Sequence, residues 1–412
     1  MRSNYKPLGD YIRPCEEFND GMKVTELLGI NNIKYFQDSH TNTIGIDLQG
    51  YRIVRKGQFA YNRATTRNGD KISIALRQGD DCIVSPSYRV FESKDENVLN
   101  SEYLMMWFRR PEFDRYARFK SHGSAHEYFE LEQMYEVQLP IPHIDKQREI
   151  VAEYNTILRR IDLNNGLIQK LEETAQAIYK QWFVDFEFPN ENGEPYKSAG
   201  GEMELSKELE VEIPKGWEVK SLIKLCDIKG GKRLPKGEAL NGDKKGNPYI
   251  KVADLHETKF IVLNDDIEYV DEETQKSISR YIVSKNDVIL SIVGTIGLVN
   301  VVHESLDKAN LTENCVKLTN FKSINSDYIY HYLSSPIGQR NIETKTVGGV
   351  QGKLPLYNIQ SIQVVVPKPE ILEKYLSISS GINQIQQVKT TENSKLELIR
   401  DLLLSKLATV TD

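Results

Sequence analysis

Apolar residues recur at helical spacing over two long stretches, and elsewhere they alternate in short bursts. From Ile144 to about Phe183 there is no proline and a single glycine, Gly166. Within it Ile150, Tyr154, Ile157, Ile161, Asn164, Ile168, Leu171, Ala175, Ile178 and Trp182 are spaced alternately by four and three. That is a heptad seam and predicts one continuous helix, about 60 Å long at roughly 1.5 Å per residue. A second stretch, Ile371 to Leu407, repeats the pattern with Tyr375, Ile378, Ile382, Ile385, Leu396, Ile399 and Leu403, interrupted by Lys389 and Glu392. A charged rod with one apolar stripe is not stable alone in water. The two rods are therefore expected to pair, antiparallel, within one chain. Asn164 and Lys389 then fall on equivalent polar seam positions, which specify register at a cost in stability.

Ahead of each rod the pattern is globular. Strands are expected near Tyr51–Val54, Ile72–Leu76, Cys82–Val90 and Val137–Ile141. Asn100 or Ser101 caps a helix running to Phe108, and Pro111 suits the first turn of the next. In the second half, strands are expected at Tyr249–Val252, Val288–Val293, Leu298–Val302 and Ile362–Val366, with Ser326/Asp327 repeating the cap. Gly294-Thr-Ile-Gly297 forms a turn that needs permissive backbone. The expected organisation is a globular domain over 1–143, a rod over 144–187, a linker over 188–213, a second domain over 214–368 and a second rod over 369–412.

The two halves are copies. Shifting the sequence by 225 residues lays Leu99-Asn-Ser-Glu-Tyr-Leu104 over Ile324-Asn-Ser-Asp-Tyr-Ile329. The same shift puts Pro111 on Pro336, Gly123 on Gly348, Pro142 on Pro367 and Lys170-Leu171-Glu172 on Lys395-Leu396-Glu397. Repeats are sought early because missing one misassigns the whole fold. The fold class expected is α+β: two related globular domains separated by a pair of long antiparallel coiled-coil helices, pseudo-twofold.

Composition narrows the function by exclusion. No apolar run is long enough to span a membrane, and the first residues lack a secretory signal, so a cytoplasmic protein is expected. Cys15, Cys82, Cys226 and Cys315 stand far apart, which argues for reduced thiols rather than a disulfide frame or zinc knuckle. Gly348-Gly-Val-Gln-Gly352-Lys353-Leu354 is one residue short of a phosphate loop and has Leu where Ser or Thr would bind the metal. His122 and His126 have no HExxH around them. The Asn/Asp-Pro-Pro-aromatic motif of a DNA amino-methyltransferase is absent. No catalytic residue and no metal ligand is assigned.

The net charge of −6 does not favour nucleic acid, but its distribution does. Arg52 to Arg77 holds seven basic residues against Asp70, Arg109 to Lys120 five against two acids, and Lys229 to Lys251 seven against two. Basic residues interleaved with Asn, Gln, Ser and Thr supply both phosphate and base-edge contacts. The DNA-contact candidates are Asn62, Arg63, Thr66, Arg67 and Lys71; Lys120, His122 and Ser124, with Lys345, Gln351 and Lys353 in the stretch that repeats theirs; and Lys232, Arg233, Lys236 and Thr295. Arg63 and Arg67 are expected to read bases, and Lys345 to hold phosphate. The competing reading is a coiled-coil scaffold or adaptor that assembles partner proteins without reading bases.

Three features resemble a known family. The order is globular unit, long helix, globular unit, long helix. Leu139-Pro-Ile-Pro142 leads into Ile144-Asp-Lys-Gln147-Arg148-Glu-Ile150, although the second copy keeps Val366-Pro367 and lacks the Gln-Arg pair. Gln181-Trp-Phe-Val-Asp-Phe-Glu-Phe-Pro-Asn190 continues through Pro195-Tyr-Lys and Gly200-Gly201-Glu-Met203 to Ile213-Pro-Lys-Gly-Trp217. In these the chain resembles the specificity subunits of type I restriction–modification enzymes. The resemblance implies a non-catalytic subunit of two target recognition domains, each reading half of a bipartite, asymmetric double-stranded DNA site. The rods would set the gap and dock two methyltransferase subunits, and restriction (translocase–nuclease) subunits would join them. S-adenosylmethionine, ATP and Mg would then be bound by partners, and no cofactor by this chain.

Overall fold

The computed structural model describes residues 5–39, 45–64, 71–121, 127–242, 245–349 and 352–411. It forms two compact units, 1–162 with 395–412, and 163–394. Each unit therefore takes in part of both rods as well as a globular domain.

The first unit is built on an antiparallel four-stranded sheet, in the order Ile12–Cys15, Tyr88–Ser93, Phe59–Asn62, Ile74–Leu76. Phe59 stacks on Phe91 at 4.9 Å, and both meet Phe108 edge-on. Phe108 ends the helix Ser101–Phe108, whose start is capped by the Asn100 side chain accepting from Tyr103 N–H. The expected strand over Cys82–Val90 is two strands, Cys82–Val84 and Tyr88–Ser93, in different sheets. Pro86 lies between them, and a proline cannot donate to a ladder.

The second unit has a five-stranded sheet, Asp227–Gly230, Cys315–Thr319, Val288–Ser291, Val299–Val302 and Phe260–Ile261, parallel only at its last pair. Its cap is Asn325, which accepts from Tyr328 N–H, one residue ahead of the expected Ser326/Asp327. The duplication reaches single hydrogen bonds. Tyr103 OH donates to Pro140 C=O at 3.0 Å, and Tyr328 OH to Val365 C=O at 2.6 Å, both partners displaced by 225 residues. Lys6 pairs with Leu139 and Lys220 with Val364 in matching short ladders.

The rods are single helices, Ile144–Phe183 and Pro369–Lys406. In the second unit they run antiparallel, because Asn164 meets Asn393, Glu172 meets Gln386, and Tyr179 meets Tyr375. In the first unit Val151 and Tyr154 share a buried cluster with Leu404 and Leu407. On the first rod Tyr154, Ile157, Ile161, Asn164, Ala175 and Trp182 are buried, and Ile150, Ile168, Leu171 and Ile178 half-buried.

The second rod departs from expectation in one of its two seam columns. Ile382, Lys389, Leu396 and Leu403 are half-buried. Ile378, Ile385 and Ile399, expected inside, are 42%, 45% and 46% exposed. Beside Ile378 and Ile385 the buried positions are one residue on, at Ser379 and Gln386, and Asn393 continues that buried column seven residues further. A one-residue step turns a helix by about 100°, so apolar residues beside a polar column draw the seam to the wrong face. The polar partner of Asn164 is accordingly Asn393, at 2.8 Å, and not Lys389, which pairs with Glu392.

Candidate nucleic-acid interface

In each domain the sheet brings several candidate stretches to one end. In the first, Asn62 closes its strand opposite Tyr88, which opens the next. Ala64 is bridged to Tyr128, and Phe129 N–H donates to Arg63 C=O at 2.8 Å. Arg63 and Ala64 therefore meet Tyr128 and Phe129. Thr66, Arg67, His122 and Ser124 lie outside the described residues.

The second domain repeats the device with other side chains. Val293 and Val347 are both bridged to Lys353, and Leu354 N–H donates to Ile292 C=O. Thr295 is exposed on the adjoining turn, where Gly294 and Gly297 have φ of +82° and +93°. Ile292 N–H donates to Asn314 C=O, while Gly231 and Lys232 N–H donate to Cys315 and Leu311 C=O. A Cβ on Gly231 would lie 1.9 Å from Thr312 C=O, so only glycine fits there. The loop carrying Lys232, Arg233 and the exposed Lys236 thus joins Thr295 and Lys353 at the same sheet end. Lys345 bonds Ser361 at 3.0 Å, and Gln351 lies outside the described residues.

Basic density is not free positive charge. Arg55 pairs with Glu17 and Asp81, Arg77 with Glu26, Arg233 with Glu313 and Lys120 with Glu136. The Glu136 carboxylate raises the Lys120 pKa. Arg63 bonds Glu130 at 2.6 Å and lies over the Tyr128 ring, with Asn62 Oδ1 accepting from Ala64 N–H close by. Lys71 is exposed. Sequence reasoning missed Arg52 and Arg89, which stand by the same sheet end. Arg89 faces Tyr61, next to Asn62, across the ladder, while Arg52 faces Val84 in a separate two-stranded ladder. Among the described residues no group of three His, Cys, Asp or Glu is placed to hold a metal, and no helix is long and apolar enough to cross a membrane.

The family model for the type I restriction modification DNA specificity domain matches residues 25–173 and 214–398. The chain belongs to the type I restriction–modification DNA specificity family. It is similar to the HindI specificity subunit of Haemophilus influenzae, 24% identical over 97% of both chains. It is also similar to the MjaIX specificity subunit of Methanocaldococcus jannaschii, 25% identical over 74% of this chain and 68% of that one. The type I S subunit from M. genitalium shares its fold, with a TM-score of 0.53 and 14% identity over 98% of this chain and 95% of that one. Membership makes this a DNA sequence-specificity chain, non-catalytic in itself. The two matched segments correspond to the two recognition domains with their linking helices.

Gln147 stands at the first rod's start. Its side chain accepts from Asn100 N–H at 2.9 Å and donates to Val98 and Pro142 C=O, tying cap, strand end and rod together. The second copy has the buried Leu372 there instead, 147 plus 225.

Proposed function

We propose that each specificity domain reads one half of an asymmetric bipartite DNA site through the loops at its sheet end. The observation that carries this is the repeated bridge, Ala64–Tyr128 and Val293–Lys353, joining equivalent loops of unlike sequence. The segments 1–143 and 214–368 act as the recognition domains, and 144–187 and 369–412 as rods joined to them through the linker 188–213. The rods set the unread gap and dock two methyltransferase subunits. Leu163, Leu167, Ile378, Ile385 and Val388 are exposed on the rods in the second unit, and Leu398, Ile399 and Leu402 in the first, which supports partner helices covering those faces. Partner chains supply S-adenosylmethionine for methylation and ATP and Mg for restriction, in the cytoplasm.

Methylated bases can be mapped in cells carrying the chain with its methyltransferase subunits. Exchanging residues 1–143 for those of a relative with another specificity should change one half of the site and preserve the gap. A change in both halves, or methylation without sequence preference, sinks the reading and favours a scaffold.

A further inference from the structure

We propose that Arg52, Arg63 and Arg89 form a receptor for one backbone phosphate of the half-site read by the first domain, with Glu130 occupying it in the free protein. The proposal rests on the DNA-reading role of that domain.

Arg89 lies in the sheet strand Tyr88–Ser93, Arg63 directly follows the neighbouring strand Phe59–Asn62, and Arg52 comes from the adjacent two-stranded ladder with Cys82–Val84. Arg52 opens the strand Arg52–Val54, is bridged to Phe18, and lies over the Phe18 ring at 5.0 Å. Arg89 pairs with Tyr61 across the ladder, two residues before Arg63. A single carboxylate serves two of them: Glu130 takes Arg63 at 2.6 Å and Arg89 at 3.5 Å. Arg52 has no carboxylate in ion-pair contact among the described residues, and Glu16 acts on it only through space. The Nε atoms of Arg52 and Arg63 are buried without a hydrogen-bond partner among the described residues. Burial, and then the charges of Arg89 and Arg63, hold the Arg52 guanidinium below its ordinary pKa while Glu16 opposes them.

Such a cluster favours an anion, because an added negative charge relieves repulsion already present. A base edge is neutral and engages one guanidinium fork. A phosphodiester carries a charge and offers several acceptor oxygens, which suits several forks. Glu130 precedes the helix Leu131–Tyr135, where its backbone N–H donates to Gln133 Oε1 at 2.8 Å. It is therefore a fixed stand-in that a phosphate must displace. On this account Arg63 sets affinity and register, not base preference as its sequence context suggested.

The test uses the full chain assembled with its methyltransferase subunits. Dissociation constants are measured against salt on a duplex with the mapped site and on one with a changed first half-site. Arg52→Gln and Arg63→Gln should each weaken both duplexes by the same factor and flatten the log–log salt slope by about 0.9. Glu130→Gln should tighten both duplexes, a gain that misfolding does not produce. An unchanged slope for Arg52→Gln, or a changed ratio between the duplexes, overturns the phosphate receptor. A wild-type complex that does not distinguish the duplexes overturns the half-site reading instead, and the Arg52 slope then judges the receptor separately.

Discussion

The two domains meet their rods in different ways, although they are copies. In the second unit the contact is a buried polar network. Lys259 Nζ bonds Asp327 in the capped helix and Asn383 on the second rod. Tyr375 OH bonds His331 at 2.6 Å, while Glu172 accepts from Gln386 at 3.2 Å and lies 3.8 Å from His331. In the first unit the buried lysine is Lys34, and it is satisfied inside its own domain by Phe108 C=O and Asp114. There Arg109 lies over Tyr35 and donates to Tyr154 OH at 3.0 Å, and Asn155 donates to Glu102 at 2.6 Å. A cavity of about 310 Å³ remains among Lys34, Phe36, Met105, Val151 and Leu158. A buried lysine therefore ties domain to rod in one copy and only closes the domain in the other. A duplicated fold constrains backbone and apolar packing, and leaves each polar contact free to be rebuilt.

The largest effect should come from breaking the buried ion pairs. Lys259→Met leaves Asp327 buried and uncompensated, and is expected to destabilise the second unit by about 3–5 kcal/mol. Hydrogen exchange should show lost protection both near Asp327 and along the rod near Asn383. Lys34→Met should loosen the first domain while Gln147 and Arg109 keep the rod start protected. Equal loss at both rods would erase the contrast.

A middle-sized effect is expected from pH. Burial, and then the charge of Lys259, push His331 down to about 4, against the pull of Asp327 and Glu172. Its folded value lies below the unfolded one near 6.5. The folded state therefore favours neutral His331, and that contribution is full above about pH 6.5. It is lost as pH falls through that window toward 4, by up to about 3 kcal/mol. Denaturant unfolding followed in the second unit should show this slope, and His331→Gln should flatten it. The first unit has Met106 at the matching position and should lack it.

The smallest effect tests the first seam's looseness. Val151→Ile adds a methylene toward the cavity and should stabilise the first unit by about 0.8 kcal/mol. A loss measured by thermal melting would mean that the space is already filled.

Much of this was legible in the chain. The 225-residue shift located the repeated cap, the paired strand-to-rod junctions and both long helices. It left the run from Asn62 to Lys71 and the run from Lys120 to Ser124 as separate candidates. The sequence misjudged the second rod, where Ile378, Ile385 and Ile399 outweighed Ser379, Gln386 and Asn393. It also overlooked Arg89, 26 positions beyond Arg63 and brought near it only when Phe59–Asn62 pairs with Tyr88–Ser93, and Arg52, which comes from another ladder.

By itself, then, the sequence determined the duplication, the alternation of domain and rod, and the repeated cap. These follow from local rules: heptad spacing, caps and turn residues act over a few positions. Only the tertiary structure decided which column of the second rod is buried, which lysine holds a rod, and which cations stay unpaired. Those depend on partners far along the chain, where a carboxylate such as Glu130 or Asp327 converts a charged residue into a satisfied one.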